Sequence, residues 1–334
     1  MSTARTRRLF LATASAAGAT AFLRTPLALP TEGALEITTV RFVKSPVICV
    51  APQFVAGELL RAEGFTDIRY VTTPRLGSGD YLVSGEVDFS LETPWTLVTK
   101  IDADEPITVL AGVMVGCYEL FGNEGVRGIA DLKGKSFGTQ GAGSTRVGLP
   151  TLLAASVGLD PAKDIDWVTD PARQPLDLFM RGKIDAFLGF PPEPQDLRAR
   201  HIGHVIVNTA VDHPWSQYFC CLLAGNRKFV RNYPRATKSV LRTILKATDI
   251  CASDPARAAR QLVDSGVTPR YDYALQTLGE LPYDKWREYD AEDTVRFYTL
   301  RLQELGFVKS DPQKIIAEGT DWRFLNELKH ELKT

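Results

Sequence analysis

The residues best suited to chemistry are small and polar, and they cluster in Gly138-Thr139-Gln140-Gly141-Ala142-Gly143-Ser144-Thr145. Glycine and alanine side chains let a ligand come close to the backbone. Ser144 or Thr145 is a good N-cap for a following helix. A glycine loop feeding a helix N-terminus presents unpaired N–H groups at the positive end of a dipole, which suits an anion or a polar acceptor. The chemistry implied is binding. No GK[ST] follows, as a nucleotide loop would need, and the spacing is not GxGxxG. A well-capped strand–loop–helix turn has the same local pattern, so the reading rests on what else reaches the same place.

Three further stretches have the right character. Ser45 lies in Lys44-Ser45-Pro46, Thr93 and Trp95 in Glu92-Thr93-Pro94-Trp95, and Phe190 and Glu193 in Gly189-Phe190-Pro191-Pro192-Glu193-Pro194. Each follows a β-rich run, and open α/β sheets bind ligands beyond the carboxyl ends of their strands. The candidate contacts are therefore Ser45, Thr93, Trp95, Gln140, Gly141, Ser144, Thr145, Phe190 and Glu193, with Trp215 from the loop Asp212-His213-Pro214-Trp215. Gly141, Ser144 and Thr145 would donate hydrogen bonds. Trp95, Phe190 and Trp215 would pack on an apolar ligand body, although each aromatic alone is as readily a core residue. Glu92 and Glu193 are acids able to hold an amine or to remain solvated, and Arg75 and Arg146 are candidate anion partners or plain surface charges.

The elements that must position these residues alternate between strand and helix. Strands are predicted at Glu36–Val43, Asp67–Thr72, Val87–Leu91, Ile107–Gly112, Cys117–Gly122, Ser136–Thr139, Ile165–Val168, Ile184–Leu188, His204–Val207 and Tyr218–Ala224, from β-branched and apolar runs. Between them lie helices starting near Pro52, Arg75, Thr93, Ser144 and Gln174, the third with Thr93 as N-cap and Pro94 first in the helix. Cys117–Gly122 leaves the first sheet and Tyr218–Ala224 returns to it. Beyond Arg227 the chain is mostly helical, with core faces Val240/Leu241/Ile244/Leu245, Ala258/Leu262/Val263 and Val295/Tyr298/Leu302/Leu305.

Composition sets the outer bounds. The chain has 334 residues, 44% hydrophobic and 24% charged, enough for two domains. Lysine plus arginine number 39 against 40 acids, so a nucleic-acid partner is not implied. Residues 1–30 read as an export signal: Thr6-Arg7-Arg8-Leu9-Phe10-Leu11 matches a twin-arginine pattern, and cleavage is expected between Ala28 and Pro30. Losing residues 1–29 removes four arginines and no acid, leaving 35 basic against 40 acidic residues. The alternative is an exposed basic terminus of a cytosolic protein. Five cysteines, at 49, 117, 220, 221 and 251, are odd in number and scattered, which argues against a disulfide framework, and no CxxC or HxxxH spacing predicts a metal site. No cofactor is expected. Cys220-Cys221 reads as buried strand.

Asp131-Leu132-Lys133-Gly134-Lys135-Ser136-Phe137-Gly138-Thr139-Gln140-Gly141-Ala142-Gly143-Ser144-Thr145 resembles the core motif of the solute-binding proteins of bacterial ABC importers, in the nitrate/sulfonate/taurine and thiamine-precursor group. The segments APQFVAGELLRAEGF, GEVDFS and GKIDAFLGFPPEP agree with it, and the resemblance runs from about Leu35 onward. It implies an α/β, type II periplasmic binding fold: two lobes of parallel-sheet architecture joined by two crossover strands, residues 31–122 with 225–334 as one and 123–224 as the other. It also implies a periplasmic monomer that delivers a small organic anion to a membrane permease and its ATPase, with no catalysis. Alternatives within the resemblance are a pyrimidine or thiamine-precursor binding protein, a sensory domain reporting to a receptor, and an enzyme similar to a fungal pyrimidine-precursor synthase. That synthase uses a cysteine-rich motif and an active-site histidine. Here only Cys220 and Cys221 adjoin, and His213 is the one histidine at a candidate loop.

Overall fold

A computed structural model describes residues 33–44, 47–72, 79–140, 145–170 and 172–332. Two five-stranded sheets organise it. The first half contributes β1 (Thr39–Lys44), α1 (Ala51–Ala62), β2 (Asp67–Thr72), α2 (Asp80–Ser84), β3 (Phe89–Glu92), α3 (Pro94–Asp102) and β4 (Ile107–Val115). The chain then builds β5 (Glu119–Gly122), β6 (Lys135–Gly138), α4 (Thr145–Ser156), β7 (Ile165–Val168), α5 (Pro175–Met180), β8 (Ala186–Gly189), α6 (Glu193–Arg200) and β9 (His204–Asn208). It returns through β10 (Phe219–Asn226). Helices follow: α7 (Arg227–Asn232), α8 (Pro234–Ser253), α9 (Pro255–Asp264), α10 (Tyr271–Glu280), α11 (Ala291–Glu304), α12 (Pro312–Gly319) and α13 (Arg323–Glu331).

Strand order is β2-β1-β3-β10-β4 in one sheet and β7-β6-β8-β5-β9 in the other. The expected parallel sheets are thus mixed. β1 runs parallel to β2 and β3, and β6 parallel to β7 and β8. β10 is antiparallel to both neighbours in the first sheet, and β5 to both neighbours in the second. In each sheet the antiparallel member is the strand that has crossed from the other lobe. It enters from the edge facing that lobe, where the parallel strands end.

Every residue of β3, β4 and β10 is buried: β3 and β10 are central, and the edge strand β4 is covered by later chain, with the Asp321 N–H donating to the Val109 carbonyl at 2.9 Å. β4 runs three residues past its predicted end because β10 pairs with it as far as Val115. β1 starts at Thr39 rather than Glu36, since the Glu36 carboxylate accepts from the Arg235 and Ala236 N–H groups (2.9 and 3.0 Å) at the start of α8. The outgoing crossover is not strand at residues 117 and 118: the N–H groups of Cys117 and Tyr118 donate to Thr209 Oγ1 (3.2 and 3.0 Å), on the chain running back. Gly116 has φ +56°, and a Cβ there would lie 2.3 Å from the Ala210 Cα, so the two crossovers touch backbone to backbone.

Candidate functional site

Both sheets send their strand ends towards one seam between the lobes. On the first side β3 ends at Glu92, Thr93 is the N-cap of α3, and Pro94 opens the helix, as the sequence predicts. The Thr93 hydroxyl does not cap the backbone. It donates to Thr96 Oγ1 at 2.9 Å instead. Trp95, in that first turn, is buried, and its ring lies 5.6 Å from those of Tyr118 and Tyr298.

On the second side α4 begins at Thr145, after the glycine loop. Gly148 sits in the same turn of α4, and a Cβ there would lie 2.4 Å from Trp95 Cδ1 and 2.6 Å from Nε1. The opening turns of two helices, one per lobe, therefore meet at Trp95 and Gly148, and only a residue without a side chain permits the approach. Phe190, beyond β8, is half-buried and meets the Tyr118 ring edge-on at 6.3 Å. Tyr118, on the outgoing crossover, thus joins Trp95 of one lobe to Phe190 of the other.

Beside Tyr118, two buried polar atoms have no hydrogen-bond partner among the described residues, Trp95 Nε1 and Glu92 Oε2; Glu119 Oε2 and Gln195 Oε1 share that state. The other Glu92 oxygen accepts from the Ser90 hydroxyl at 2.8 Å. Burial pushes the Glu92 carboxyl up to about 7, against a smaller opposing pull from Ser90. A protonated Glu92 and the indole N–H are both hydrogen-bond donors. Burial likewise pushes the Tyr118 phenol well above its ordinary range.

The remaining candidates divide. Ser45, Gly141 and Ser144 lie outside the described residues, as do Arg75 and the side chains of Thr145 and Arg146. Gln140 is exposed and its amide donates to Gln174 Oε1. Glu193 opens α6, and its carboxylate accepts from the Phe190 N–H at 3.3 Å, which closes the turn locally. Trp215 is buried against Phe297 of α11, ring centres 5.9 Å apart, and Phe297 stacks on Tyr218 at 3.9 Å. The structure therefore brings Thr93, Trp95 and Phe190 together and seats Trp215 in an aromatic cluster on α11.

Sequence reasoning missed Tyr118, Gly148 and a bridge on the far side of the seam. Arg198 of α6 pairs with Glu119, and its Nη2 donates to both Glu280 oxygens of α10 at 2.7 and 2.8 Å. Gln195 Nε2 adds a bond to Glu280 at 3.1 Å, and the Tyr273 hydroxyl one to Asp196 at 3.1 Å. These partners stand about 80 residues apart in sequence, so no local pattern reports them.

The arrangement is that of two α/β lobes joined by two crossovers. Residues 120–264 match the profile of the NMT1-like family. A stretch of 112 residues is 30% identical to the bicarbonate-binding protein CmpA of Synechococcus elongatus, covering 34% of this chain and 24% of that protein. The whole fold is similar to the periplasmic nitrate-binding protein NrtA of Synechocystis (TM-score 0.73, 16% identity, 90% of each chain). It is also similar to the alkanesulfonate-binding protein SsuA of Xanthomonas axonopodis pv. citri bound to MOPS (TM-score 0.71, 17% identity, 86% of this chain and 100% of that one). These likenesses bear out the resemblance to the nitrate/sulfonate/taurine group, and the fold is the periplasmic binding-protein fold. Among the described residues no helix is long and apolar enough to cross a membrane.

Proposed function

We propose that the protein is the solute-binding component of an ABC importer and holds one small organic anion with an apolar part between its lobes. The observation that carries the reading is the meeting of the α3 and α4 opening turns at Trp95 and Gly148. Two helix N-termini converge there, which favours negative charge, while Trp95, Tyr118 and Phe190 supply flat apolar surface. The likeness to nitrate-, bicarbonate- and sulfonate-binding proteins points the same way. The contacts we assign are Thr93, Trp95 and Phe190, with Ser45, Gly141, Ser144 and Thr145 completing the site from their loops. The protein works in the periplasm, reaches it through its twin-arginine leader, and passes its solute to a permease and ATPase without chemistry of its own. Residues 31–122 with 225–334, and 123–224, are the two moving bodies.

A neutral heterocycle such as a pyrimidine is the second reading, favoured by one observation: the unpartnered Glu92 oxygen and indole N–H form a hydrogen-bonding edge beside an aromatic surface. Thermal-shift screening against nitrate, bicarbonate, alkanesulfonates, aromatic carboxylates and pyrimidines separates the two. The anion reading expects a rise of several degrees with one anionic class. Stabilisation by pyrimidines alone would overturn it.

A further inference from the structure

Four of the five cysteines, separated by up to 172 positions in sequence, converge behind the seam. Cys49 lies in the helical turn leading into α1, Cys117 on the outgoing crossover, and Cys220 and Cys221 at the start of β10 on the returning one. All four are buried and none is in a disulfide. The Sγ atoms of Cys117 and Cys220 are 3.3 Å apart, those of Cys220 and Cys221 are 3.9 Å apart, and all three lie within 4.8 Å of one another. Cys49 is buried near Cys117 and Cys221 but lies outside that group of three.

Those separations have a chemical meaning. A disulfide needs sulfurs about 2.05 Å apart, which this cluster does not have. Thiolates about 2.3 Å from a central ion sit at tetrahedral edges of about 3.8 Å, and the observed spacings bracket that value. Soft thiolate ligands select Zn²⁺ and Cu⁺ over hard cations.

We propose that Cys117, Cys220 and Cys221 form a buried site for one thiophilic d¹⁰ cation, Zn²⁺ or Cu⁺, that ties the two crossovers together. Each thiol that binds loses its proton to solvent, so Zn²⁺ binding by all three releases three protons and leaves a site of net charge −1. Cys251, near the C-terminal end of α8, takes no part. The sequence hides the site because its ligands come from two places about 100 residues apart and lack any CxxC spacing.

The test uses the full chain, purified under reducing conditions and loaded separately with Zn²⁺, Cu⁺ or Co²⁺, then dialysed against a weak chelator. The proposal expects about one Zn²⁺ or Cu⁺ retained per chain by elemental mass spectrometry, a higher melting temperature, and thiolate-to-cobalt charge-transfer bands in the Co²⁺ form. It expects Cys251→Ser to retain the metal, and Cys117→Ser and Cys220→Ser to lose it at least tenfold. The wild-type cobalt spectrum decides the matter should either serine variant fail to fold. Five freely titrating thiols with no metal retained, a mass lower by two hydrogens from a Cys117–Cys220 disulfide, or cobalt spectra without thiolate bands would each overturn it.

Discussion

Glu92 carries a consequence that the rest of the seam does not. Its carboxyl is raised from about 4.5 to about 7 by burial, so the folded state holds a proton that the unfolded chain has released. The stabilisation from that proton is complete below about 4.5, declines as pH rises towards 7, and is absent above it. The difference amounts to roughly 3 kcal/mol, taken at 1.36 kcal/mol per unit. Melting temperature should fall between pH 5 and 7.5 in the wild type, and Glu92→Gln should flatten much of that slope. Equal slopes in both proteins would show that Glu92 is not the group titrating. The residue scale is also where sequence reading did least well. Thr93, Trp95 and Phe190, which we propose as contacts, stood out because each follows a strand end. Tyr118 was not, because nothing local marks an aromatic on a crossover as one that links two lobes. Trp215 packs against Phe297, a contact 82 positions away in sequence that no local pattern reports.

At the scale of elements, the crossovers are held by a contact that admits no side chain. Gly116→Ala would require a left-handed backbone at alanine and force its methyl towards Ala210. The strain alone is about 1 kcal/mol and the overpacking about 1–3 kcal/mol more. Thermal melting should therefore show a loss of several degrees, and an unchanged midpoint would refute the close packing of the two crossovers. The bridge from α6 to α10 predicts a milder effect. Arg198 and Glu280 are part-exposed, so their pair is worth about 0.5–1 kcal/mol. Glu280→Gln should weaken solute binding about two- to fivefold with little change in the unliganded melting point, because Arg198 keeps Glu119. Most strands were legible in the sequence, since their β-branched and apolar runs are long enough to fix both type and place. The antiparallel strands β5 and β10 were legible as crossovers but not in direction, which is set by how each enters the other sheet. Of the seven helices after β10, three announced themselves by an apolar face. The rest are short or, like α10, pack against several partners at once.

At the scale of the whole molecule, the architecture followed from the alternation of strands and helices and from the two crossovers, and the fold bears it out. The site we propose between the lobes is less legible because it needs two halves of the chain brought together: Trp95 and Gly148 are ordinary residues until α3 meets α4. Loss of both helix ends as a ligand grip would leave the importer reading without its physical basis. The most direct measurement is a calorimetric titration of wild type and Gly148→Ala with whichever solute class stabilises the protein in the thermal screen. A one-to-one complex in the wild type is expected, at least tenfold weaker in the variant, with unliganded melting points within about two degrees since the added methyl can be avoided by parting the lobes. Equal affinity in the two proteins would contradict the claim that the solute is held where the two opening turns meet.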